Sequence, residues 1–465
     1  MQLETGQIEH FRRPITLQER RFLMGAVSHI SLVARFNGQI SEQELRRAVD
    51  KTLETYPLFA TRIDSYSDPK WAITKGAAEV PVKVYERSSD EYWLDVLNLE
   101  HAIPIRPTKG PLTRFILVQG LETSELIIFC HHSISDGRSL ELALREVLLH
   151  LGDPNREPPQ MSEVPVHLPE IFPDGISQSR IKRWLIGIVN KKWDKEKILF
   201  DEEDVTNIEE VFWKNSRYCV ESVMLSEEET TQLINVCREN EVTVNSALVV
   251  ALLKARIEAL GPYNGKVKVG TAVDTRERLK ARVGDAVGLY AGGSLFTFDY
   301  DAKQSFWENV KSYHKQVRKQ MENNKIFSSI LDQYLIDPTL FEALWFKVVS
   351  PLVEPHQSRY EKLSTYAKQE TGLVSKYVSK MENSAPNVMT TNLGRLSIPS
   401  EVNGIKIERV FFTPSSGLKL EIAAGVATAA GRLTLTLNYH NGYFDEDRMK
   451  LLCIQTEEVL KGIIS

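Results

Sequence analysis

The sequence predicts an α/β protein built as two similar lobes. Apolar runs of strand length alternate with helical periodicities along the whole chain. The second half opens as the first does, with a strand, a capping box and a helix. At 465 residues the chain also exceeds one ordinary core.

In chain order, an irregular start leads to a strand over Ile30–Phe36, punctuated by Asn37-Gly38. Ser41-Glu-Gln-Glu44 is a capping box, and the helix behind it aligns Leu45, Ala48, Val49, Thr52 and Leu53. That helix must stop before Pro57, and Leu58–Ile63 reads as the next strand. Thr113–Val118 and Leu126–Phe129 read as two more, the second of them buried. Apolar residues at 140, 144, 147, 148 and 151 then mark one face of a helix. Prolines crowd residues 151–170, which reads as an interdomain linker. Ser179–Trp193 is a basic amphipathic segment. It could meet a membrane surface or an acidic carrier protein, and its simplest reading is a solvated helix across the two lobes. Val220–Leu225, the capping box Ser226–Glu229 and a helix carrying Leu233, Val236 and Cys237 repeat the opening pattern. A longer buried helix from Val242, strands over 266–273, 388–394 and 433–439, and a final helix from Asp445 to Gly462 complete the chain. The expected division is residues 1–152 as the first lobe, 153–215 as linker and crossover segment, and 216–465 as the second lobe.

Composition excludes several classes. A net charge of -5 gives no basic excess for nucleic acid. No signal core occupies residues 1–10, and no stretch reaches spanning length, so the cytoplasm is the expected location. Cys130, Cys219, Cys237 and Cys453 are scattered, without the spacing of a disulfide framework or a zinc site.

Chemistry concentrates in Cys130-His131-His132-Ser133-Ile134-Ser135-Asp136-Gly137, a tight turn between the buried strand and its helix. Asp136 can accept the free N–H groups of the helix start, and Gly137 lets backbone approach a ligand. A histidine of ordinary pKa, about 6.5, suits a general base that takes a proton from a hydroxyl or amine attacking an activated carbonyl. The helix-start N–H groups could help hold the oxyanion. Rival readings of the motif are weaker. His132 and Asp136 lack a third metal ligand, so no metal site is expected. Ser133 and Ser135 lack a nucleophile elbow. Cys130 and His131 point to opposite faces of a strand and would not meet. His131 reads as a core histidine satisfying hydrogen bonds. Asp136 reads as a structural cap, with Arg276 a candidate cationic partner, although Arg276, like Arg278 and Arg282, could equally be a solvated arginine.

His131-His132-Ser-Ile-Ser-Asp136-Gly137 resembles the HHxxxDG signature of the condensation-domain superfamily of acyltransferases. That group includes condensation domains of nonribosomal peptide synthetases, polyketide-associated acyltransferases and alcohol acetyltransferases. Residues 56–62, 110–114, 274–279, 287–288 and 391–394 are similar to further stretches of that family, in the same order. The resemblance implies two chloramphenicol-acetyltransferase-like lobes in a V-shaped pseudo-dimer with a central tunnel. It implies His132 as general base, and His131, Asp136, Gly137 and Arg276 as structural support of the motif. Asn392 and Gly394 would face the tunnel. The donor would be an acyl thioester on coenzyme A or on the phosphopantetheine arm of an acyl carrier protein, with no permanently bound cofactor and no acyl-enzyme. Plant-type relatives carry a DFGWG string that is absent from this sequence. The remaining length suits a free-standing enzyme, which favours ester formation on a small or lipid alcohol. Amide formation by a stand-alone condensation enzyme and a catalytically silent docking scaffold are the alternatives.

Overall fold

In the computed structural model, residues 12–464 are described except 24, 26, 67–69, 74–78, 160–165, 264–265, 350–359, 383–385, 418–419 and 443. Residues 1–10, read above for a signal core, lie outside them, as does part of the proline-rich stretch. Two six-stranded mixed sheets dominate. The first runs in the order Glu401–Val402, Ile405–Thr413, His29–Asn37, Thr123–His131, Thr113–Gln119, Val82–Glu86. The second runs Ala291–Phe298, Val267–Asp274, Val388–Arg395, Ile422–Ala429, Arg432–His440, Tyr218–Met224. Each sheet has its own apolar core, so the two-lobe α/β architecture holds.

Local chemistry explains most elements. Ser41 and Ser226 cap helices Glu42–Thr55 and Glu227–Glu239 with reciprocal bonds to Glu44 and Glu229. Asp136 caps Gly137–Gly152 through the Ser139 N–H, and Leu140, Leu144, Val147, Leu148 and Leu151 of that helix are buried. The stretch Leu58–Ile63 departs from expectation. Pro57 opens a 3-10 turn over Pro57–Ala60, which leaves a strand only over Thr61–Ile63.

Chain order does not divide the molecule as expected. Residues 401–413, inside the expected second lobe, cross to the first sheet, where Phe411 pairs with Val33 and Phe412 with Leu32. This covers what would otherwise be an open strand edge at 29–37. The same strand touches the second sheet: a Cβ on Gly425 would stand 2.1 Å from the Phe412 carbonyl oxygen, so a bare backbone is needed there. Residues 153–215 are more than a linker, because Trp193, Phe200, Val205, Ile208 and Phe212 are buried in the first lobe's core. Helix Arg180–Glu196 is fixed along one side, where Trp193 Nε1 donates to Thr339 and Asn190 donates to the Leu335 carbonyl. No helix among the described residues is long and apolar enough to cross a membrane.

Candidate active site

The motif strand Thr123–His131 is held from both sides, with His131 opposite His29 and Cys130 opposite Thr113. The His132 N–H donates to the Ser28 carbonyl at 2.8 Å, extending the ladder one step before the chain turns. Its ring Nδ1 lies 2.7 Å from the Ser135 carbonyl oxygen. A carbonyl only accepts, so Nδ1 carries the proton and Nε2 keeps its lone pair. The ring is half-buried and lies 4.2 Å, centroid to centroid, from Phe22. Burial lowers its pKa below the ordinary imidazole value, against the raising effect of the Ser135 bond and Asp136. The imidazole is therefore neutral at neutral pH.

The neighbouring groups divide differently. The His131 Nδ1 accepts from the Ser133 N–H at 3.2 Å and contacts its hydroxyl at 2.7 Å, and burial pushes the ring down to about 3. It is a satisfied core histidine. The Cys130 thiol contacts the hydroxyls of Thr113 and Ser135, and burial pushes it up to about 12, so it is no thiolate.

Asp136 points away from His132 into the second lobe. Its Oδ1 accepts from Ser139 N, Ser139 Oγ and Arg276 Nη2, and its Oδ2 from Arg276 Nη1 and Tyr290 N, all at 2.9–3.0 Å. Arg276 also donates to Ala286 O and Asp274 Oδ1, and its guanidinium lies 4.5 Å from the centre of the Tyr290 ring. Both charges are about 4% exposed. Burial pushes the carboxyl up, but Arg276 and these bonds bring it below its usual range. The guanidinium is raised, since its carboxylate partners outweigh burial. The motif turn is thus bolted to the other lobe. Because Asp136 already takes the Ser139 N–H, that helix-start donor is not free for an oxyanion.

Gly137 serves contact between chain segments rather than the approach of a ligand. A Cβ there would meet Leu393 Cδ2 at 2.4 Å and Phe412 Cζ at 3.1 Å, so other chain segments fill the space expected for a ligand. A cavity of about 340 Å³ opens between the lobes beside it, lined by Gly137 and Arg138 on one side and by Asp274, Ala291, Asn392 and Leu393 on the other. Asn392 lines this cavity, and its side chain accepts from the Gly394 N–H. Gly394 itself is exposed and is not one of the lining residues. Nor is His132, whose ring faces helix Leu17–Leu23 instead. That helix reaches the second lobe through Gln18, which donates to the Ala291 carbonyl. Sequence reasoning passed over it as irregular, although Thr16-Leu-Gln-Glu19 is also a capping box, with Thr16 N donating to Glu19 and Glu19 N to Thr16 Oγ1. Among the described residues no group of three or more His, Cys, Asp or Glu could hold a metal.

Residues 214–340 match the family model described as phthiocerol/phthiodiolone dimycocerosyl transferase C-terminus. Solved structures match over nearly the whole chain. Polyketide synthase associated protein 5 from Mycobacterium tuberculosis is 15% identical, with 97% of this chain and 98% of that one covered and a TM-score of 0.59. This chain shares the fold of condensation-domain and related acyltransferase structures. A trichothecene 15-O-acetyltransferase from Fusarium sporotrichioides is 13% identical, over 99% of this chain and 97% of that one, with a TM-score of 0.61. An epimerization domain of tyrocidine synthetase B is 13% identical, over 100% and 98%, with a TM-score of 0.62. At such identities the superfamily likeness is one of fold, and one superfamily fold serves more than one reaction. No curated protein matches the sequence.

Proposed function

We propose that the protein is an O-acyltransferase that moves an acyl group from a thioester, on coenzyme A or an acyl carrier protein, to a hydroxyl. The observation that carries this reading is the tautomer of His132. With Nδ1 held by the Ser135 carbonyl, the Nε2 lone pair is directed away from the turn on a ring that burial keeps neutral. As the acceptor oxygen attacks the thioester carbonyl, its proton passes to Nε2. The tetrahedral adduct expels the thiolate, which recovers that proton from the imidazolium, leaving an ester and a free thiol. No residue is acylated, and the inert Cys130 agrees with that. Support for oxygen over nitrogen as the attacking atom comes from the dimycocerosyl transferase family match and the O-acetyltransferase neighbour. Neighbours from polyketide and nonribosomal peptide systems support a carrier-borne donor beside coenzyme A.

The test is thiol release from acyl-coenzyme A with alcohol and amine acceptors, products being identified by mass spectrometry. His132→Ala should lower the rate by about 10²–10⁴-fold without changing the melting profile. Unchanged turnover would reject the base, and amide as the preferred product would reject the hydroxyl acceptor.

A further inference from the structure

Helix Arg180–Glu196 takes no part in the chemistry above, and its outer face is unlike the solvated helix expected there. Ile181, Trp184, Leu185 and Ile188 follow the i, i+3, i+4, i+7 spacing of one stripe and are 71%, 64%, 49% and 45% exposed. The same stripe continues through Lys191, Lys192 and Lys195, all exposed. It is thus apolar in its first two turns and basic in its last two. Residues 180–197 hold seven basic and two acidic side chains, within a chain of net charge -5. Lys182 and Lys197 are used internally, on Asp332 and Asp337, whereas Lys191, Lys192 and Lys195 have no ion pair among the described residues. Helix Leu373–Glu382, packed beside it, begins where Glu196 accepts the Leu373 N–H, and adds exposed Tyr377, Lys376 and Lys380.

A face that leaves a tryptophan and three branched aliphatics in water costs solvation that only an apolar medium returns. Lysines alone would fit any anion, but lysines in line with an inserted aromatic stripe fit the boundary of an anionic bilayer. The inner side of the helix is pinned by Trp193 and Asn190, so the stripe is presented rigidly. We infer that this face docks the protein on anionic membrane surfaces, with Ile181, Trp184, Leu185 and Ile188 entering the headgroup boundary and Lys191, Lys192 and Lys195 on the phosphates. Docking there would place the enzyme where long-chain acyl groups and lipid alcohols dissolve, and it does not depend on the acyl-transfer reading.

Co-sedimentation of the full chain with phosphatidylcholine vesicles, with and without phosphatidylserine, tests this. Two triple variants are compared: Ile181→Ser/Trp184→Ser/Leu185→Ser and Lys191→Glu/Lys192→Glu/Lys195→Glu. Binding should require phosphatidylserine and weaken with salt, and each variant should bind at least about tenfold more weakly with an unchanged melting profile. Failure of the wild type to bind, or binding indifferent to both variants, would overturn the inference. So would capture of an acidic carrier protein through this face without vesicle binding, or a dimer that both variants dissociate.

Discussion

Arg276→Gln isolates what the inter-lobe ion pair does, because the amide keeps much of the side-chain volume and removes the charge. Asp136 would keep three of its five hydrogen bonds, from Ser139 N, Ser139 Oγ and Tyr290 N, but lose both from the guanidinium. A buried charge stripped of its partner costs about 3–5 kcal/mol. With an unfolding entropy of about 2 cal/mol/K per residue, a chain of this length melting as one unit would lose about 3–5 °C. The reverse change, Asp136→Asn, should cost less, since Arg276 retains Asp274, Ala286 O and Gly288 O. Acidity gives an independent check. In the wild type the folded carboxyl lies below its usual range, so its contribution is complete above about pH 3.9 and is lost as pH falls through the folded value. The substitution removes the pull of Arg276 on that carboxyl and leaves the push of burial. The variant's deficit should therefore be greatest near about pH 7 and shrink towards about pH 4, as Asp136 becomes neutral. Urea or thermal unfolding of wild type and variant at both acidities measures this. A deficit under about 1 kcal/mol at neutral pH, or one indifferent to pH, would refute the reasoning.

Three further outcomes follow from the same geometry. The acid limb of kcat/KM should fall below the ordinary imidazole value of about 6.5, because burial holds His132 neutral there; a limb above that value in a pH–rate profile would contradict it. Gly137→Ala should cost about 1–3 kcal/mol by pressing on Leu393 and Phe412, and Leu393→Ala should recover part of this in denaturant titrations. Cys130→Ala should retain turnover, and the wild-type thiol should resist iodoacetamide at mildly alkaline pH, as read by mass spectrometry of the alkylated peptide.

Local signals and long-range packing divide this protein cleanly. The capping boxes at Ser41 and Ser226, the buried helix face from Leu140 to Leu151 and the strand before His131 depend on neighbours within a few residues, and the sequence spells them out. The motif turn belongs with them, since the Asp136 cap and the Ser135–His132 bond close over three residues. Thr16–Glu19 carried the same kind of signal, but too few apolar residues followed to mark helix Leu17–Leu23, and Phe22 was missed with it.

Sequence by itself determined the α/β class, the two lobes and the turn that sets the tautomer of His132, because these need only propensity, periodicity and short-range hydrogen bonds. Only the tertiary structure decided that residues 401–413 complete the other lobe's sheet and that Leu393 fills the space at Gly137. It also decided which arginine meets Asp136 across 140 residues of chain, and that helix Arg180–Glu196 turns an apolar stripe outward. Those outcomes depend on which surfaces meet after the chain has folded back on itself. Side-chain spacing constrains what an element can bury, but the partner that covers it is chosen by the whole packing arrangement.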